Sequence, residues 1–213
     1  MGGDHISKRR LSGIDRSGPP PDATQSGHPL NPWTIPNAID FVRLAAIPVF
    51  LVVALSSADG QDPVAVVLFG VIGWSDYLDG FAARLTGQYS RLGALLDPIV
   101  DRLLVVSGMV VCWHFNLLPR WAIALVVARE LFMLAISRYA ISRGIEIKIN
   151  WPGRLGVAPT LGAPFFAMLG VHWLALVMLY VGLALALVAT ALYIREGLAQ
   201  DRAAHARKLS SSD

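Results

Sequence analysis

Four aspartates, Asp76, Asp79, Asp97 and Asp101, stand out in a chain otherwise dominated by apolar runs. Asp76 and Asp79 are spaced i, i+3 and Asp97 and Asp101 i, i+4, so on helices each pair shares one face. Carboxylates clustered with no His or Cys among them are hard oxygen ligands, suited to Mg2+, Mn2+ or Ca2+ rather than zinc. Two divalent ions among four carboxylates form an arrangement that clamps phosphates during phosphoryl transfer. Gly80 follows Asp79 and Gly93 precedes Asp97 by four positions, so backbone at both places can approach a bulky ligand without a Cβ in the way. Ala83 keeps the same wall low, and Arg84 offers a planar fork for phosphate. The structural alternative is a buried ion network with Arg84, Arg91, Arg102 and Arg129. Four acids at these spacings, with two glycines and an arginine, favour a site.

The elements that must position these residues follow from composition. The chain has 213 residues, 54% hydrophobic and 15% charged, whereas an average soluble domain is about a quarter charged. Apolar segments at 36–56, 63–84, 94–115, 119–142, 155–172 and 174–195 each approach the roughly 20 residues that cross a bilayer as a helix. The expectation is an all-α polytopic membrane protein with six transmembrane helices. Linkers 57–62, 116–118 and 172–173 carry no Lys or Arg, while the alternate ones hold Arg91, Arg143, Lys148 and Arg154. Lys8, Arg9, Arg10 and Arg16 precede the first span and Arg195, Arg202, Arg207 and Lys208 follow the last. This asymmetry predicts that both termini are cytoplasmic, in a plasma or inner membrane. It also accounts for the net charge of +3 without a nucleic-acid partner.

In that topology spans two and three meet at the cytoplasmic turn "LTGQYSR", which places all four acids near the cytoplasmic surface. An aspartate well inside a membrane costs about 2.5–3.5 kcal/mol, so four without a cation would cost on the order of 10 kcal/mol, comparable to the stability of a whole domain. Residues 1–32 read as a disordered cytoplasmic leader, 33–197 as the membrane domain and 198–213 as a cytoplasmic polar tail. The lone Cys112 sits in an apolar run and reads as a packing residue. Trp33, Trp113, Trp121, Trp151 and Trp173 fall near span ends as an interfacial belt, and Trp74 is expected to pack beside Asp76. His114 and His172 lie toward the outer side, away from the acids. Arg43, within the first span, is a candidate to neutralise the acids or to meet lipid phosphate.

Written as D-x2-D-G-x2-A-R-x8-G-x3-D-x3-D, the stretch from Asp76 to Asp101 resembles the signature of the CDP-alcohol phosphatidyltransferases at every position, over a likeness extending across about residues 33–197. The resemblance implies six transmembrane helices and a homodimer. It implies that Asp76, Asp79 and Asp97 hold Mg2+ or Mn2+, two ions per site, with Asp101 completing the set and acting as general base. Gly80, Ala83, Arg84 and Gly93 would receive the CDP moiety of CDP-diacylglycerol, and an acceptor hydroxyl would displace CMP. The phrases "TIPNAIDFVR", "LGALLDPIVDR" and "VARELFMLAISR" are most similar to phosphatidylglycerophosphate synthases, which implies glycerol 3-phosphate as acceptor. Its phosphate needs cations, for which Arg129, Lys148 and Arg154 are the candidates; a pair with Glu130 or Asp101 is the alternative for Arg129.

Two departures bear on the acceptor. "NWPGRLGVAPT" replaces a lysine-rich phrase before span five, and Asp40 stands where the first-helix phrase more often has a hydroxyl residue. Inositol phosphate, or phosphatidylglycerol in cardiolipin synthesis, are the other acceptors for the same chemistry. From different classes, a membrane prenyltransferase would need a second, separate Asp motif, and a divalent-cation transporter would use the acids as a midplane site.

Overall fold

The computed structural model describes residues 34–86, 90–142 and 151–210. They form six helices, with no strand among the described residues: α1 (Ile35–Leu55), α2 (Pro63–Thr86), α3 (Arg91–His114), α4 (Arg120–Ser142), α5 (Trp151–Met168) and α6 (His172–Ser210). Their ends fall within a few residues of the apolar segments, except that α6 runs on through the polar tail to Ser210. The tail sequence "AQDRAAHARKL" is made largely of strong helix formers, so the helix propagates past the end of its apolar stretch.

Local chemistry sets the boundaries. Thr34 caps α1, its hydroxyl accepting from the Asn37 amide. Asp62 caps α2 by accepting from the amides of Val64 and Ala65 at 2.8 and 3.0 Å, with Pro63 at the first helical position, where its missing N–H costs nothing. The turns after α3 and α5 are built alike. Leu117 and Val171 donate back to the carbonyls of Cys112 and Phe166, both at 2.9 Å, around Asn116 (φ 54°) and Gly170 (φ 82°). These are Schellman closures, which demand a residue tolerant of the left-handed region.

The chain divides into two compact units, residues 1–111 and 112–213, with the division inside α3. In the first unit α1 packs on α2, where the rings of Phe50 and Phe69 lie 5.2 Å apart. Ile47, Ala54, Ile72, Val100 and Leu104 are buried around them. In the second unit α5 lies along α6 and α4 also meets α6. The α5–α6 contact is made of small residues: a Cβ at Gly182 would stand 2.9 Å from the Thr160 hydroxyl and 3.0 Å from its backbone nitrogen. Ala163, Ala167, Ala175 and Ala189 are fully buried. Close backbone approach through small residues is how helices associate where lipid removes the hydrophobic drive.

The distribution of polarity is the reverse of a water-soluble helix. On α1, Asn37, Asp40 and Arg43 are buried at 0–2% exposure while Val42 and Val52 are exposed at 69% and 67%. Among the described residues two helical stretches, Ile35–Leu55 and His172–Arg195, are long and apolar enough to cross a membrane. Apolar side chains turned outward around buried charge suit a hydrocarbon surround rather than water. Trp121 and Trp173 are largely exposed and Trp113 is 43% exposed. Trp74 is 66% exposed, and the Asp76 side chain beside which it is expected to pack lies outside the described set. Cys112 is fully buried, in keeping with a packing role.

Candidate active site

The acids of α3 are met by α1. Asp97 and Asp101 sit one turn apart on α3, partly exposed, with Pro98 between them removing the N–H that would bond the carbonyl of residue 94. Arg43, 2% exposed on α1, donates from Nη2 to Asp101 Oδ1 at 2.7 Å. The same guanidinium donates from Nε to the Ile72 carbonyl on α2 at 3.3 Å and from Nη1 to Asp40 Oδ1 at 3.4 Å. One arginine therefore ties three helices together at the acids. Asp40 is 1% exposed and adjoins Asp97; its Oδ2 meets no hydrogen-bond donor among the described residues. Arg102 turns back along its own helix, donating from Nη1 to the Pro98 carbonyl at 3.0 Å.

A second link between α1 and α3 lies at the start of α3. The Ser90 hydroxyl donates to Asn37 Oδ1 at 2.7 Å and accepts from the Gly93 amide at 2.9 Å, which makes Ser90 the cap of α3. A Cβ at Gly93 would fall 2.7 Å from Asn37 Oδ1 and 3.1 Å from Ser90 Oγ. The glycine is thus required by the protein's own packing, whatever approaches it from outside. Sequence reasoning attached Gly93 to a ligand and assigned nothing to Asn37 or Ser90. The available signal was Asn37, a polar residue early in an apolar span.

Other residues singled out from the sequence are placed less fully. Asp76, Asp79, Gly80, Ala83 and Arg84 lie on the C-terminal part of α2, and their side chains lie outside the described set, as does that of Arg154 on α5. Lys148 lies outside the described residues. Arg129, in the second unit on α4, donates from Nη1 to Glu130 Oε1 at 2.5 Å and from Nε to Thr190 Oγ1 on α6 at 3.2 Å. The pair with Glu130 considered for it is formed.

No group of three potential metal ligands occurs among the described residues, the side chains of two of the four acids lying outside the described set. What is described fits a hard divalent ion: Asp97 and Asp101 offer oxygen donors, and the buried Asp40 Oδ2 beside Asp97 lacks a donor. A buried carboxylate oxygen in that position calls for a cation or a proton.

Largely apolar helices that bury Asp40 and an arginine shared with Asp101 define an all-helical class of protein with a polar site among its helices. The family model described as CDP-alcohol phosphatidyltransferase matches residues 33–193, and the chain belongs to that family. Among relatives, a provisionally named cardiolipin synthase of Mycobacterium tuberculosis is 40% identical over 122 residues, 57% of each chain. A cardiolipin synthase (CMP-forming) of Streptomyces coelicolor is 41% identical over 106 residues, 48% of this chain and 49% of the relative. A CDP-diacylglycerol–glycerol-3-phosphate 3-phosphatidyltransferase of Shigella flexneri is 30% identical over 168 residues, 75% of this chain and 88% of the relative. The match thus spans about half the length of the first two of these relatives.

Proposed function

We propose that the chain transfers a phosphatidyl group from CDP-diacylglycerol to an alcohol, releasing CMP, with glycerol 3-phosphate as acceptor and phosphatidylglycerophosphate as product. The observation that carries this is the complete acid–glycine–arginine motif from Asp76 to Asp101, within a chain whose family membership covers the same region. The name of the Shigella relative, matched along most of its length, supports the acceptor.

In this reading Asp76, Asp79, Asp97 and Asp101 hold Mg2+ or Mn2+, two ions per site. When bound, the ions supply positive charge against the diphosphate. Arg84 and the backbone beside Gly80, Ala83 and Gly93 receive the CDP portion. Asp101 takes the proton from the acceptor hydroxyl, whose oxygen forms a bond to the β-phosphorus. The bond from that phosphorus to the bridging oxygen breaks, and CMP leaves with the electron pair. Lys148, Arg154 and Arg129 are the candidates for the acceptor phosphate, Arg129 in competition with its pair to Glu130. The same reading has six membrane spans, both termini and the site on the cytoplasmic side, and a homodimer.

A second reading, with phosphatidylglycerol as acceptor and cardiolipin as product, is favoured by the higher identity to relatives named cardiolipin synthases. The test uses purified protein in detergent micelles with CDP-diacylglycerol and Mn2+, offered glycerol 3-phosphate, inositol phosphate or phosphatidylglycerol. CMP release that depends on one acceptor and stops with EDTA is the expected result. No CMP with any acceptor refutes the enzymatic reading, and release with phosphatidylglycerol alone replaces the first acceptor by the second. Asp101→Asn is expected to abolish turnover while CDP-diacylglycerol still binds.

A further inference from the structure

We infer that Arg43 is a positioning residue for this transfer: it holds the Asp101 carboxylate in the orientation in which it receives the acceptor's proton. The inference rests on the reading of Asp101 as the base. Its ground is the geometry of one planar group whose partners among the described residues come from three helices: Asp101 Oδ1 at 2.7 Å, the Ile72 carbonyl at 3.3 Å and Asp40 Oδ1 at 3.4 Å. Asp40 is one turn before Arg43 on α1, and the Ile72 carbonyl is part of the backbone of α2. These two contacts orient the guanidinium plane, and its remaining arm then sets where the Asp101 carboxylate stands.

Arg43 is 2% exposed and the Asp101 side chain 35%, so the buried partner is the reference and the open one is held against it. The Asp101 contact is also the shortest of the three, in the range of a charge-assisted bond. Left alone, a half-exposed aspartate has several staggered χ1 wells and a broad χ2, and only some of these aim a carboxylate oxygen at a given hydroxyl. Mere neutralisation of the acids would need charge alone. Holding one carboxylate against two other helices needs the rigid fork, which lysine lacks.

The test compares wild type with Arg43→Lys, with Arg43→Met combined with Asp40→Asn, and with Asp101→Asn, all in detergent micelles. The double substitution avoids leaving Asp40 as an uncompensated buried charge. The readouts are kcat, KM for CDP-diacylglycerol, Mn2+ affinity by electron paramagnetic resonance, and melting temperature. Loss of a group that orients a ligand or catalytic carboxylate typically costs about 10- to 100-fold. The expectation is a kcat about 10-fold lower for Arg43→Lys and about 100-fold lower for the double variant, with KM for CDP-diacylglycerol within about twofold of wild type. Wild-type kcat in Arg43→Lys overturns the inference, as does a fall in kcat matched by KM, metal affinity and melting temperature together. Turnover retained by Asp101→Asn removes the base assignment and this inference with it. An inactive Asp101→Asn beside a fully active Arg43→Lys removes the positioning role alone.

Discussion

Gly93→Ala separates two reasons for a glycine at the start of α3. The new Cβ would stand 2.7 Å from Asn37 Oδ1 and 3.1 Å from Ser90 Oγ. Asn37 is fully buried, so its amide has no solvent to swing into. Displacing it breaks the 2.7 Å bond from Ser90 and leaves a buried acceptor unsatisfied, at about 1–3 kcal/mol. The Ser90 cap, which accepts from the residue 93 amide at 2.9 Å, is worth about 1 kcal/mol. Against these, alanine's better helix propensity returns at most about 1 kcal/mol. The net expectation is a destabilisation of about 1–3 kcal/mol, or roughly 2–12 °C in melting temperature for a chain of this size.

Thermal unfolding in detergent micelles measures it, and a cycle with Asn37→Ala isolates the contact. Removing the amide makes room for the methyl, so the two substitutions should couple by about 1 kcal/mol or more. A glycine kept solely for ligand approach would behave otherwise: Gly93→Ala would melt at or above the wild-type temperature and raise only KM for CDP-diacylglycerol. That result, with no coupling to Asn37, would refute the packing argument.

Gly182→Ala should weaken the α5–α6 pair by about 1–3 kcal/mol, because its Cβ meets the Thr160 backbone nitrogen at 3.0 Å and the Pro159 carbonyl carbon at 3.2 Å. Thr160→Ala should not rescue it, since the obstruction includes backbone; melting curves of the single and double variants decide. Arg129→Gln removes the ion pair to Glu130, which is 8% exposed, and should destabilise by about 1–3 kcal/mol. Its effect on KM for glycerol 3-phosphate discriminates the roles: an unchanged value marks a structural pair, and a rise of tenfold or more marks an acceptor-binding cation.

The helices and the chemistry were legible in the sequence for different reasons. Helix ends followed, to within a few residues, from the lengths of the apolar segments. The extension of α6 to Ser210 was missed because apolarity marks where a span ends, whereas helix propensity marks where a helix does. The acid motif was legible because it is contiguous. Its counterpart on α1 was not: Asn37 meets Ser90 across 53 positions and Arg43 meets Asp101 across 58. No periodicity or local spacing encodes a pairing at that range.

Gly93 shows the same division within a single residue. The sequence by itself determined that a residue without a side chain stands four positions before Asp97, and that acids and a basic fork surround it. Only the tertiary structure decided what occupies the space of the missing Cβ, because that space is filled by an amide from another helix. It likewise decided that Arg43, 58 positions away, reaches Asp101. Arg43, Arg84, Arg91 and Arg102 are equivalent as charges in a list, but a hydrogen bond depends on distance and direction. Those are set by how α1, α2 and α3 pack.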